Sequence, residues 1–465
     1  MTAPSDLQAA SIALNRFGLG VRPDEAVPPD PKDWLLAQLD RYVVVPSAWA
    51  NEAASAPTLA YYADYLRGLR QATAGSELAV RQKLASQTQE LYRSAVNARV
   101  TSALTAPAPF VERLVHFWAN HFAVSTDKTP LGALAGAFEL EAIRPHVLGR
   151  FEDMLLAVER HPAMLLYLDQ ARSTGPGSAL ARRVAVVNPE RQRGLNENLA
   201  REILELHTLG VRSGYEQSDV IELARALTGW SIGGLPGVPP GGSQGSFVFQ
   251  SMMHEPGTRK VLARQYEQRG EAQAQAILHD LAIAPATAQH IAGKLARHFV
   301  ADTPSPSLVA RLADAFLRSG GDLPSVYRAL VTAPEAWSAQ QAPKFKAPWD
   351  WTVSLLRGLG RREPAANQQF APLLVQLGQP VWRPGSPAGY DDTMESWAAP
   401  DSLMRRVEFA QRVAARAGDA VDARTLGPQL IPSGLSEATE RAIARAESAP
   451  TALALLLVSP EFLRR

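Results

Sequence analysis

The sequence predicts a mainly α protein: a multi-helix orthogonal bundle of two lobes with one small β hairpin and long irregular loops. Three observations carry this. Apolar residues recur at three- and four-residue steps along most of the 465-residue chain. Helix-start residues and Pro/Gly stops punctuate those runs. Strand patterns are confined to two short stretches, 246–250 and 259–263.

Taken in order, Leu84, Leu91, Ala95 and Ala98 form a stripe that predicts one long amphipathic helix over 77–104. "PFVERLVHFWANHFA" (109–123) opens with Pro at a helix N-terminal position and puts Val111, Leu114, Val115, Trp118 and Phe122 on one side. The same periodicity predicts helices over 131–144, 151–158, 161–170, 196–209, 217–229, 285–300, 305–318, 322–333, 346–358, 401–416, 436–446 and 449–457. Asp219 and Asp401 supply start signals. "SFVFQ" (246–250) and "RKVLA" (259–263) are expected to pair as the hairpin. Three stretches read as long loops: 172–194, 233–245 and 378–400. The second is nearly all Gly, Pro and Ser, a flexible excursion. The third carries Trp382, Arg383, Tyr390, Asp391, Asp392 and Trp397, costly chemistry for a linker. The domain reading is an N-terminal helical lobe (1–230), a Gly/Pro loop with the hairpin (231–270) and a C-terminal helical lobe (271–465).

Composition excludes several classes. A hydrophobic share of 46% with 20% charged residues is that of an ordinary globular chain. A net charge of +1, with no long Lys/Arg run, gives no footprint for nucleic acid. The most apolar stretch, "TALALLLV" (451–458), is far short of the roughly 20 residues a membrane span needs. The absence of cysteine removes disulfides, thiol catalysis and zinc fingers. No glycine-rich phosphate loop, nucleophile elbow or metal-ligand spacing is present, so no cofactor and no metal are expected. "MTAPSDLQAASIALNRFG" lacks a basic and an apolar leader region, so a cytoplasmic location is expected as the sequence stands, periplasmic if a signal was trimmed.

The chemistry-bearing residues form three groups. The first is the polar helix 196–209. Leu195, Leu199, Ile203 and Leu206 should face the core, with Asn198, Glu202 and Glu205 in a stripe beside it. Arg201 can pair with Glu197 or Glu205, and His207 closes the run. Two carboxylates one turn apart raise each other's pKa, which makes Glu202 and Glu205 acid/base candidates. The plain alternative is an ion-pair network with Asn196 as cap. The second group is "HFWANHF" (116–122), where His116, Trp118, Asn120 and His121 are a candidate pocket wall, His121 with an acid/base role. Lone helical histidines, however, more often serve the core. The third is "GQPVWRPGSPAGYDD" (378–392), whose prolines stiffen a wall presenting Trp382, Arg383 and Tyr390, with Asp391 and Asp392 at its rim.

Seven segments together carry a resemblance: "LNRFGLG" (14–20), "FWANHF" (117–122), "HPAMLLYLD" (161–169), "GLNENLAREILELHTLGV" (194–211), "YEQSDVIELARALTGW" (215–230), "HEPGTRKVL" (254–262) and "GQPVWRPGSPAGYDD" (378–392). In this order, along nearly the whole chain, they resemble the bacterial family catalogued as domain of unknown function 1800. Many members look secreted through an Arg-rich signal, from which this chain departs.

The three polar groups are expected to converge on one cleft. The functional expectation is a hydrolase-type enzyme on a saccharide-like or other polar polymer, with Trp382, Tyr390 and Trp397 stacking on sugar rings. The alternative is a non-catalytic helical binding or assembly protein whose polar residues form a buried structural network. An enzyme needs the carboxylates in an open pocket; a scaffold needs them paired and closed.

Overall fold

A computed structural model describes residues 4–71, 74–187, 194–338, 343–364 and 369–465. The protein is 61% helical, with two small antiparallel two-stranded sheets among those residues, so it is mainly α. Each run with helical period is helical, with ends moved by a few residues. Helices also form at Ser55–Gln71, Glu271–Ala282 and Ala179–Val187. The last lies inside the expected loop 172–194, of which 188–193 fall outside the described residues.

The single hairpin is corrected to two. Phe247–Phe249 (β2) pairs with Trp230–Ile232 (β1), and Arg259–Val261 (β3) pairs with Arg264–Tyr266 (β4). The stretch 233–245 therefore connects β1 to β2 and is tied down: Gly233 N donates to Ser246 O at 2.9 Å and Gly245 N to Gly233 O at 2.8 Å. β3 and β4 turn through Leu262 and Ala263, both at positive φ (50° and 63°). Two-residue hairpin turns favour Asn-Gly at such positions. Leu-Ala carries no such signature, which is why this pairing is hidden in the sequence.

Buried apolar side chains form one contiguous core from Ala13 to Leu463. The N-terminal segment is wedged into the last third of the chain: Phe17 stacks on Phe299 and Trp337 with ring centroids 5.6 and 5.5 Å away. Arg16 Nη1 donates to Ala336 O at 2.9 Å, and Arg357 Nε to Gly20 O at 3.1 Å. The helix Ala74–Thr105 has 32 residues and spans about 48 Å. Leu131–Phe138 presses onto it through two glycines one turn apart. A Cβ on Gly136 would lie 2.5 Å from Ala95 Cβ, and one on Gly132 2.8 Å from Thr88 Cγ2. That close approach brings Glu139, the next residue along, against Arg99. At the other end, Lys344 and Arg465 exchange backbone hydrogen bonds of 3.0 and 2.8 Å, which turns the Arg465 side chain inward. Among the described residues no helix is long and apolar enough to cross a membrane.

The polar helix differs from its expected form. Asn198–Glu202 is α-helical, but Ile203–His207 is a π-helical turn. Its wider i→i+5 spacing rotates the following residues. Leu204 and His207 are buried, and Leu206, expected in the core, is only half-buried.

Candidate functional site

A cavity of about 310 Å³ opens between the C-terminal half of helix Pro109–His121, one face of Pro285–Phe299, the start of Pro348–Gly358 and the loop 379–392. Pro109 starts the first of these helices where its missing N–H is no loss. The helix is buried almost all round, so its polar side chains need internal partners.

The floor is cationic and aromatic. Arg99 Nε donates to Glu139 Oε2 at 2.8 Å, and its guanidinium lies 4.4 Å from the Trp349 ring and 5.4 Å from that of Trp382. Trp382 Nε1 donates to the same Glu139 oxygen at 3.0 Å. Trp382 has φ 49°, rare for a bulky residue, while its carbonyl accepts from Thr126 N at 2.9 Å. The loop is thereby pinned with its indole inward. Arg113 Nη1 meets Asp350 Oδ2 at 3.1 Å, and Arg465 Nε approaches the same oxygen at 3.3 Å. Burial pushes Asp350 upward, but Arg113, Arg465 and His298 outweigh it and hold the carboxyl well below its usual range.

The adjoining wall carries a carboxylate–imidazole pair. His298 Nδ1 lies 2.6 Å from Asp392 Oδ2. Lys344 Nζ and Arg465 Nη2 stand 3.6 and 3.5 Å from Asp392 Oδ1. Burial raises Asp392; His298, Lys344 and Arg465 overcome this and keep it ionised. Desolvation lowers His298 despite Asp392, so the imidazole is neutral at pH 7. A carboxylate only accepts, so Nδ1 carries the proton and Nε2 has the free lone pair. His298 Nε2, His121 Nδ1 and His116 Nε2 are buried and have no hydrogen-bond partner among the described residues. His121 Nε2 is bonded to the His207 carbonyl at 3.2 Å, leaving Nδ1 as an acceptor. His116 Nδ1 accepts from Trp349 Nε1 at 3.2 Å, leaving Nε2–H as a donor, 3.8 Å from Glu112 Oε1. Desolvation first, then Arg99 and Arg144, drives His116 well below its ordinary value; for His121 it is desolvation, then Lys294.

Lys294 and Arg297 complete the lining on the same helix face as His298. Neither has an ion pair among the described residues, and Lys294 has no hydrogen bond there either.

Seven of the expected site residues meet here: His116, Asn120, His121, Trp382, Tyr390, Asp391 and Asp392. Asn120 serves as a clamp. Its Nδ2 donates to Tyr390 O at 2.8 Å and its Oδ1 accepts from Tyr390 N at 2.7 Å. Gly389 (φ +81°) allows the approach, since a Cβ there would sit 2.2 Å from Asn120 O. Trp397 is buried outside this lining, its ring 6.0 Å from that of Tyr390.

The polar helix does not join the cavity, which corrects the expected three-way convergence. Glu202 is half-buried, and its electrostatic neighbours are His207, Glu205, Arg201 and Glu159, not His116 or His121. Burial, reinforced by Glu205 and Glu159, raises its pKa. Glu205 lies 3.6 Å from Arg201 Nη1; Arg201 also bonds Gln217 at 2.9 Å. Asn198 is exposed on a shallow groove with Arg172. His207 is fully buried, with Nδ1 2.7 Å from Glu159 Oε1. Trp118 is core, donating to Tyr327 Oη at 2.7 Å. Arg383 is exposed and pairs with Asp127. Among the described residues no group of three or more His, Asp or Glu is arranged to hold a metal ion.

The family model described as "Protein of unknown function (DUF1800)" matches residues 12–464. The chain is a DUF1800 protein. No curated protein and no solved structure matches it.

Sequence reasoning missed Arg99, Arg113, Lys294, Arg297, His298, Trp349 and Asp350 in this DUF1800 chain. A signal existed for three of them. "GKLARHF" (293–299) sets Lys294, Arg297 and His298 at i, i+3 and i+4, one polar face of a helix recognised only by its apolar side. Arg99 and Asp350 carry no such mark, because their importance arises from contacts across the chain.

Proposed function

We propose that this DUF1800 chain is an acid–base enzyme of hydrolase type whose cavity receives a compact, negatively charged, saccharide-like ligand. His298 is the general base, Asp392 orients it, and Lys294 and Arg297 receive the anionic group. The observation that carries this reading is the His298–Asp392 pair, 2.6 Å apart in a cavity also lined by Lys294 and Arg297, neither of which has an ion pair among the described residues. A base held in one tautomer by a carboxylate is the arrangement that activates hydroxyl groups and water. In a hydrolytic step His298 Nε2 takes a proton from water as its oxygen bonds to the electrophilic carbon; the imidazolium, stabilised by Asp392, returns that proton to the leaving oxygen as its bond to the carbon breaks. Small-molecule sites run from about 300 to 1,000 Å³. A cavity near 310 Å³ suits one ring-sized ligand or a chain end, not an internal polymer segment. The half-buried Tyr390 ring offers the aromatic face that sugar C–H groups favour.

A catalytic pair at Glu202 and Glu205 would need a separate, open site. The non-catalytic reading has one specific support. Glu112 with Arg144, Glu139 with Arg99 and Glu159 with His207 are closed, buried pairs of the kind a structural network contains.

The test is thermal shift with D-glucuronate, D-glucarate, citrate and phosphate, with glucose as neutral control. At least one anion should raise the melting temperature of the wild type and not of Lys294→Met. No shift with any anion, or equal shifts in the variant, refutes the reading.

A further inference from the structure

The cavity holds an amine as well as an imidazole. The chain has seven lysines. Lys32, Lys83 and Lys260 are exposed, Lys128 pairs with Asp169, and Lys344 pairs with Asp302 and Asp392. Lys346 is fully buried, its Nζ 4.3 Å from the Phe462 ring, and does not line the cavity. Lys294 alone among the seven lines the cavity. It makes no hydrogen bond or ion pair with a described residue. Arg297 and His298 follow one turn later on its own helix, His290 precedes it, and His121 and Asp392 face it from two other segments.

We propose that Lys294 is a Schiff-base lysine: its amine condenses with the carbonyl of a small oxo acid whose carboxylate is received by Arg297. This rests on the anion-binding reading of the same cavity and names its substrate class, a carbonyl and a carboxylate on one compact molecule. An unpaired amine beside another cation in a partly desolvated cavity is the arrangement that turns an ammonium into a nucleophile. Desolvation, with a contribution from Arg297 and against the pull of Asp392, lowers Lys294 to about 8. About one molecule in ten then carries the free amine at pH 7, against fewer than about one in a thousand for an ordinary lysine.

The step balances without oxidant or reductant. The Nζ lone pair forms the C–N bond as the carbonyl π bond opens, and His298 Nε2 carries the first amine proton to the carbonyl oxygen, giving a carbinolamine. His298 Nε2 removes the second amine proton and returns it to the departing hydroxyl. Water leaves and the C=N bond forms. Hydrolysis of the imine reverses the sequence through the same base, so the acid–base machinery already described serves both directions.

The experiment is reductive trapping of the full chain with pyruvate and sodium cyanoborohydride at pH 7.5, read by intact mass and peptide mapping. The expected result is one adduct per chain on Lys294, blocked by excess D-glucarate, absent in Lys294→Met and slowed roughly tenfold or more in His298→Asn. Circular dichroism establishes that each variant is folded. Absence of adduct on Lys294, or equal labelling of Lys32, Lys83 and Lys260, overturns the proposal. If anions still shift the wild-type melting temperature while Lys294 stays unlabelled, the imine fails and the cavity reading stands. If Lys294 is labelled without protection by D-glucarate, the amine is reactive but not part of a ligand site, and the proposal fails.

Discussion

Asp392 Oδ2 sits 2.6 Å from His298 Nδ1, joining the aromatic loop to helix Pro285–Phe299 across 94 residues of sequence. Asp392 raises the His298 pKa, while burial lowers it more. Asp392→Asn should therefore push His298 still further down and abolish the orientation of its ring. Imidazole NMR titration reads this directly; an unchanged His298 midpoint would remove Asp392 from the site.

Arg465 contacts both Asp350 and Asp392, at 3.3 and 3.5 Å. Arg465→Ala leaves the buried Asp350 with Arg113 as its one ion-pair partner among the described residues. Breaking such a pair costs about 3–5 kcal/mol. A melting temperature within a degree of wild type would show that Arg465 is not part of the network.

Acid should destabilise the protein from about pH 6.5 downward. His116, His121, His146, His254, His290 and His298 are all lowered by burial, His290 to about 4. The unfolded chain then binds more protons than the native one between the folded values and about 6.5, so stability falls as pH falls through that window. Each buried histidine contributes up to about 1.4 kcal/mol per pH unit. Urea midpoints at pH 7 and pH 5 check this, and equal midpoints contradict it.

Glu202→Gln has the opposite sign. Its folded pKa is raised by burial, so the native carboxyl is strained when ionised and stability falls as pH rises through its titration. The amide should stabilise the protein at pH 7 by up to about 1 kcal/mol and leave cavity ligands unaffected. Loss of activity in a folded Glu202→Gln protein would return the polar helix to the centre of the mechanism.

Trp382 was expected to stack on a sugar ring; it is 6% exposed, bonded to Glu139 and placed beside Arg99, while Tyr390 is the half-buried one of the two. Trp382→Ala should cost about 3–5 kcal/mol of stability, as for other buried aromatic truncations. A small thermal effect with a large loss of ligand affinity would show that the indole acts mainly on the ligand.

How much of this is legible in the sequence depends on the range of the interaction. Helices such as Pro306–Ser319 are fixed by local periodicity and by Ser305, whose hydroxyl accepts from Leu308 N at 3.3 Å. The convergence of "HFWANH" with "GYDD" was readable because both are too polar and aromatic for their local roles. The placing of Leu206 and His207 was not, because a π-helical turn is a backbone choice with no distinct residue signature. Nor was the pairing of His298 with Asp392, since each looks ordinary within its own segment.

The most direct test of the central claim follows the imidazole resonances of the wild type while D-glucuronate is added. The account predicts saturable shifts of His116, His121 and His298, with no change at the exposed His279, which is paired to Glu152 at 2.8 Å. Resonances of the three cavity histidines that stay fixed while His279 or His207 moves would place the ligand elsewhere and contradict the account.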